Sequence, residues 1–145
     1  ERGIARLTGG DIPEVAARMR EVGERDGKPS FVRDAGNLEN SKALVLIGAR
    51  DKVRALDCGL CGYPACAEKL RKEPLTPCPM VMIDLGIALG SAVSLAADNR
   101  IDNRIMYTCG VAAAELGLLP GFRTIIGIPL SASGKSIYFD RQPKK

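Results

Sequence analysis

The sequence predicts an α+β domain: a mixed sheet of about four strands packed against three or four helices, with an irregular cysteine-bearing loop. Three observations support this. Apolar residues recur at helical spacing near the N-terminus and fill two later alanine- and leucine-rich segments. Short runs of β-branched residues and leucine have the length of strands. Pro64, Pro74, Pro77 and Pro79 crowd the segment that holds four of the five cysteines, so much of 57–79 cannot be regular structure. A chain of 145 residues suits one domain, 1–145. It begins at Glu1, and residues upstream are expected in the natural protein.

In chain order, Asp11 is placed to cap a helix, with Pro13 in its first turn and Glu14 at the third position; Val15, Met19 and Val22 then repeat at helical spacing to about Arg25. Gly27 and Pro29 end it. Ser30 to Val32 reads as a strand and Asp34 to Ser41 as a loop. Ala43 to Ile47 is continuously apolar, as a central strand requires. Met80 to Ala97 reads as a buried helix, apolar all round, in which Gly86 and Gly90 admit a neighbouring backbone. The doublet Asp98-Asn99-Arg100 and Asp102-Asn103-Arg104 interrupts it. Tyr107 to Leu116 is helical again and Gly117 stops it. Thr124 to Ile128 is a strand, Ser131 to Gly134 a turn, and Ile137 to Phe139 a short last strand.

Composition excludes several function classes. Histidine is absent, which removes the usual general base, the Ser-His and Cys-His nucleophile pairs, and the commonest zinc and haem ligand. The net charge of +4 is dispersed among acids except for Lys144 and Lys145. With three Tyr, three Phe and no Trp, no basic stripe interleaved with aromatics is present, so no nucleic-acid partner is expected. Met80 to Ala97 carries Asp84, Ser91, Ser94 and two glycines, so no membrane span is expected, and no secretory signal is visible.

Four cysteines fall in the spacing C-x2-C-x4-C-x11-C-P: Cys58, Cys61, Cys66 and Cys78. Three clustered thiols and one remote thiol suit a cubane iron–sulfur cluster, in which a tight loop wraps three irons and the distant cysteine closes the fourth corner. Gly59 and Gly62 fit the same loop, because backbone folded around a bulky anion needs positive φ and inward-pointing amides. A structural zinc site with four thiolates is the competing reading, although it usually uses two C-x2-C pairs and one is present here. Disulfides would require an oxidising compartment. Cys109 stands alone in an apolar helix and reads as a core residue.

The stretch Asp57-Cys-Gly-Leu-Cys-Gly-Tyr-Pro-Ala-Cys-Ala-Glu-Lys-Leu70, with Cys78 beyond it, resembles the single-cluster domain of the corrinoid iron–sulfur protein and of a subunit of the Rnf electron-transport complex. The resemblance implies that Cys58, Cys61, Cys66 and Cys78 bind one [4Fe-4S] cluster, that 57–79 is the cluster-binding segment, and that the protein transfers electrons. The relatives place their last cysteine further away. Wider stretches, Phe31 to Asn37, Asp84 to Ala92, Asp102 to Tyr107 and Ile128 to Lys135, resemble an uncharacterised bacterial and archaeal family of ferredoxin domain-containing proteins, whose members carry a further N-terminal helical segment. A redox protein partner and a reducing cytoplasm are the corresponding expectations.

Asp84 to Ala97 and Leu116 to Pro129 resemble, more faintly, the C-terminal half of flavin-dependent nitroreductases. That likeness implies an FMN cofactor contacted by Arg33, Asn37, Asn103, Arg104 and Lys135, and an oxidoreductase in which the cluster feeds the flavin. Read without it, Arg33 pairs with Asp34, and Arg100 and Arg104 pair with Asp98, Asp102 or Asp84 to tie element ends.

Overall fold

The computed structural model describes residues 2–50 and 52–139, the side chains of Arg2, Arg6 and Thr8 excepted, so Lys144 and Lys145 lie outside the described residues. The α+β class holds. The described elements are β1 (Arg2–Thr8), α1 (Ile12–Arg25), α2 (Pro29–Glu39), β2 (Ala43–Ala49), α3 (Cys66–Lys72), α4 (Pro79–Asp98), β3 (Asp102–Asn103), α5 (Tyr107–Glu115) and β4 (Thr124–Ser131). The strands form one sheet in the order β1-β2-β4-β3, and each pairing is antiparallel instead of mixed.

The alternation of side chains along β2 and β4 sorts the interior into two layers, one on each face of the sheet. Leu44, Leu46 and Ile125 face α1, α2 and α5, where they join Ile12, Val15, Met19, Leu38 and Cys109. Val45, Ile47, Ala49, Ile126, Ile128 and Leu130 face α4 and its residues Val81, Leu85 and Leu89. Cys78 belongs to this second layer and is buried. The close approach that positions α5 on β4 is at Gly110, where a Cβ would collide with the backbone of Ile125.

Several expectations are corrected. Residues 30–32 are not a strand and 34–41 are not a loop: they belong to α2, whose N-terminal Pro29 has its φ already set for a helix. Its buried residues Phe31, Asp34, Ala35 and Leu38 repeat at helical spacing, and the polar Asp34 within that stripe hid it. Residues 137–139 form bends, not a strand. Tyr138 leaves the sheet, is buried, and shares a hydrogen bond of 2.9 Å with Ser41.

Helix α4 is where expected but is not buried all round. Only Val81, Leu85 and Leu89 are buried, while Ile83, Ile87 and Leu95 are exposed. No neighbour lies within 4 Å of a Cβ built at Gly86 or Gly90. By length and composition alone α4 could cross a membrane. Two strands, β1 and β3, were not foreseen; β3 arises where the second Asp-Asn-Arg triplet pairs with Leu130 and Ser131.

These contacts predict opposite outcomes for two Gly→Ala substitutions. Gly110→Ala should destabilise the fold by about 1–3 kcal/mol through overpacking on β4. Gly90→Ala, on an open helix face, should stabilise it by about 0.5–1 kcal/mol through lost chain entropy. Chemical denaturation of the two variants beside the parent checks both signs.

Candidate functional site

The site begins where β2 ends. Its exit, residues 52–57, carries positive φ at Ala55 (54°) and Asp57 (47°), so the chain turns sharply into the cysteine loop. Gly59 (φ 71°) and Gly62 (φ 83°) adopt the left-handed conformation expected of them, and the Gly62 N–H closes a turn on the Gly59 carbonyl at 2.9 Å. This turn holds Cys58 and Cys61. Cys66 opens α3, and its backbone N–H donates to the Asp57 carboxylate at 2.7 Å, fastening the two ends of the loop. Cys78 caps α4.

The four cysteines line one cleft, together with Val53, Gly59, Tyr63, Lys69 and Pro79. The cleft is narrow: it leaves about 10 Å³ of room for a water molecule, and about 300 Å³ only when all the space at its open mouth is counted. Cys58 is exposed, Cys61 and Cys66 are half-buried, and Cys78 forms the floor. Among the described residues, no three His, Cys, Asp or Glu side chains are gathered as a site for a metal ion. The thiols thus border the cleft without meeting at a point.

Burial pushes the Cys78 thiol up, but the backbone N–H groups of Arg54, Val81 and Met80 and the Lys69 ammonium outweigh it and leave the thiol more acidic than an ordinary cysteine. Cys109 shows the opposite balance. It is fully buried in the other layer, and burial, reinforced by Asp34, raises its pKa to about 12.

Of two further contributors, Lys69 is expected from sequence near the cysteines, with Arg54, Arg71 and Lys72, as basic residues that raise a bound cluster's potential, whereas Asp57 is not singled out. Lys69 lies in α3, one turn after Cys66, and is buried with its Nζ donating to the Thr76 carbonyl. Asp57 supplies the loop clasp just described. Sequence alone does not separate Lys69 from its charged neighbours Glu68, Arg71 and Lys72; its place one turn after Cys66 is what turns it into the cleft.

The five residues proposed for a flavin are divided. Asn103 and Lys135 line a separate cavity of about 580 Å³ with Arg100, Ser133, Ser136 and Phe139. Arg104 borders it through its guanidinium over the Phe139 ring at 5.7 Å. Arg33 and Arg104 both address the buried Asp34, at 2.7 and 3.8 Å, and Asp34 also accepts from Thr108 at 3.0 Å. The Arg33–Asp34 pair is thus as read, whereas Arg104 pairs with Asp34 and Asp84 with Arg54, at 2.6 Å. Asn37 sits in α2, its carbonyl accepting from Ser41 at 3.0 Å.

An uncharacterized protein from Archaeoglobus fulgidus is 44% identical over 149 residues, which span 98% of this chain and 80% of that protein. Residues 76–141 match a family described as "Uncharacterized protein containing a ferredoxin domain". The chain belongs to this ferredoxin-domain family. The matched region contains Cys78, α4, α5 and β4 and extends past the lining of the Asn103 and Lys135 cavity. Cys58, Cys61 and Cys66 precede it. Among solved structures, a BluB-like flavoprotein from Clostridium difficile 630 shares the fold at a TM-score of 0.50 with 17% identity, over 99% of this chain and 74% of its own. The ferredoxin-domain chain is thus built on an architecture also used by a flavoprotein.

The contrast between the thiols predicts selective alkylation. In native protein freed of metal, iodoacetamide at pH 8 should label Cys58, Cys61 and Cys66. It should spare Cys109, whose thiolate forms only as the pH nears about 12. Peptide mass spectrometry checks it, with labelling of Cys109 in the folded protein as the contrary result.

Proposed function

We propose that this protein binds one [4Fe-4S] cluster through Cys58, Cys61, Cys66 and Cys78 and acts in electron transfer with a redox protein partner in a reducing cytoplasm. The observation that supports the reading is that all four sequence-predicted cysteines, from a glycine loop and the starts of two helices, line one cleft. Four thiolates bordering a space fit a group several ångströms across better than one zinc ion, whose ligands converge at about 2.3 Å. Membership of a ferredoxin-domain family supports the same chemistry, as does the likeness to the single-cluster domains of the corrinoid iron–sulfur protein and the Rnf subunit.

The donor set also fits in charge. A cluster on four thiolates is anionic in both oxidation states, and the cleft offers the buried Lys69 and the amides around Cys78. When bound, the cluster would supply one-electron chemistry. The chain's own residues would hold it near the surface, because Cys58 and Leu60 are exposed and leave the cleft's mouth open to a docking partner. Residues 57–79 are then the cluster-binding segment of a single domain.

A second reading, an oxidoreductase in which the cluster feeds FMN, is favoured by the polar cavity that holds Asn103 and Lys135, and by the flavoprotein neighbour. In that case Arg100, Lys135 and the Ser133 and Ser136 hydroxyls would meet the phosphate.

Anaerobic purification followed by metal, acid-labile sulfide and flavin analysis separates the readings. We expect about four iron and four sulfide per chain. Cys78→Ser should lose most of both. Zinc without sulfide would establish the four-thiolate interaction module instead, and a stoichiometric flavin would establish the enzyme.

A further inference from the structure

We propose that Lys69 is the built-in counter-charge of the cysteine cleft and holds the cluster's reduction potential up, an inference that rests on the iron–sulfur reading above. Lys69 is 3% exposed and lines the cleft with all four thiols. Its ammonium donates to the Thr76 carbonyl, and among the described residues no carboxylate pairs with it. An ammonium taken out of water without an anionic neighbour is strongly disfavoured. The anion it faces must therefore come from the cleft: the thiolates, and the cluster they carry.

The other basic residues near the loop differ in kind. Lys72 is half-exposed and pairs with Glu68 at 2.7 Å, and Arg54 pairs with Asp84 at 2.6 Å. Arg71 is exposed to solvent. Their fields are neutralised by carboxylates or screened by water, whereas that of Lys69 acts through protein of low polarisability. Reduction adds one electron from an external reductant to an already anionic centre, with no bond formed or broken in the protein. A fixed positive charge beside the centre favours the reduced state more than the oxidised one.

The test is an anaerobic redox titration, followed by electron paramagnetic resonance, of the full chain loaded with iron and sulfide. Lys69→Met should lower the midpoint potential enough to cut the ratio of reduced to oxidised protein at the parent midpoint by about tenfold or more, equivalent to ~59 mV for one electron. Lys69→Arg should retain most of the parent value. Lys72→Met should change the ratio less than about threefold, roughly half of that 59 mV interval. Equal shifts in the Lys69→Met and Lys72→Met proteins, or an unmoved Lys69→Met potential, would overturn the assignment. Lys69→Gln makes the same test if the methionine variant does not take up iron.

A readout on the empty protein is independent of the potential. Relative to that empty protein, loading with iron and sulfide should raise the melting temperature of the parent more than that of Lys69→Met, because only the parent gains a partner for a buried charge, and an equal rise in the two would contradict the counter-charge role. If the parent itself takes up no iron and sulfide, the cluster reading and this inference fall together. A loaded parent whose potential ignores residue 69 removes the inference alone.

Discussion

The placement of Cys78 is the constraint on which the site depends. Eleven residues separate it from Cys66, and the chain between them is short, proline-rich and only partly helical. What brings the fourth sulfur back is α4, packed across the outer layer of the sheet through Val81, Leu85 and Leu89, with Cys78 at its start. The Arg54–Asp84 pair ties the incoming strand exit to the same helix. The cleft is therefore a product of the second core layer.

The two buried cysteines show how the fold sorts identical side chains into different chemistry. Cys109 lies between α5 and β4, where Gly127 and Gly110 let the elements approach closely and no amide cluster favours a thiolate. Cys78 is nearly as buried, yet it sits at a helix start with backbone donors and a lysine around it. Burial alone makes a cysteine inert. Burial combined with oriented N–H groups and a cation favours its thiolate. Lys69 is sorted in the same way: it is buried in the cleft wall, with its ammonium donating to the Thr76 carbonyl.

Much of the site was legible in the sequence because it is local. The spacing of four cysteines and the two glycines between them specify a loop whose φ angles the structure reproduces at Gly59 and Gly62. Helices α1 and α5 and strands β2 and β4 were legible from strong periodicity or continuous apolar runs. What was hidden depended on tertiary context. Asp34 broke the apolar stripe of α2, and its partners Arg33, Thr108 and Arg104 come from α2 itself, from α5 and from the link between β3 and α5. The last segment looked like a strand, but Tyr138 gains more by entering the core and meeting Ser41 than by pairing with an edge. The composition of α4 signalled burial, whereas the sheet covers one side of it and leaves Ile83, Ile87 and Leu95 exposed. An outer-layer helix normally shows one apolar stripe, but α4 is apolar on all sides and so reads as a central one.

The central claim is that the four thiols enclose one redox-active iron–sulfur centre. It is tested most directly by the electron paramagnetic resonance spectrum of the anaerobically prepared chain before and after reduction with dithionite. The account predicts a silent oxidised protein and, on reduction, a signal that integrates to about one spin per chain. A colourless protein that stays silent in both states and holds about one zinc per chain would contradict it.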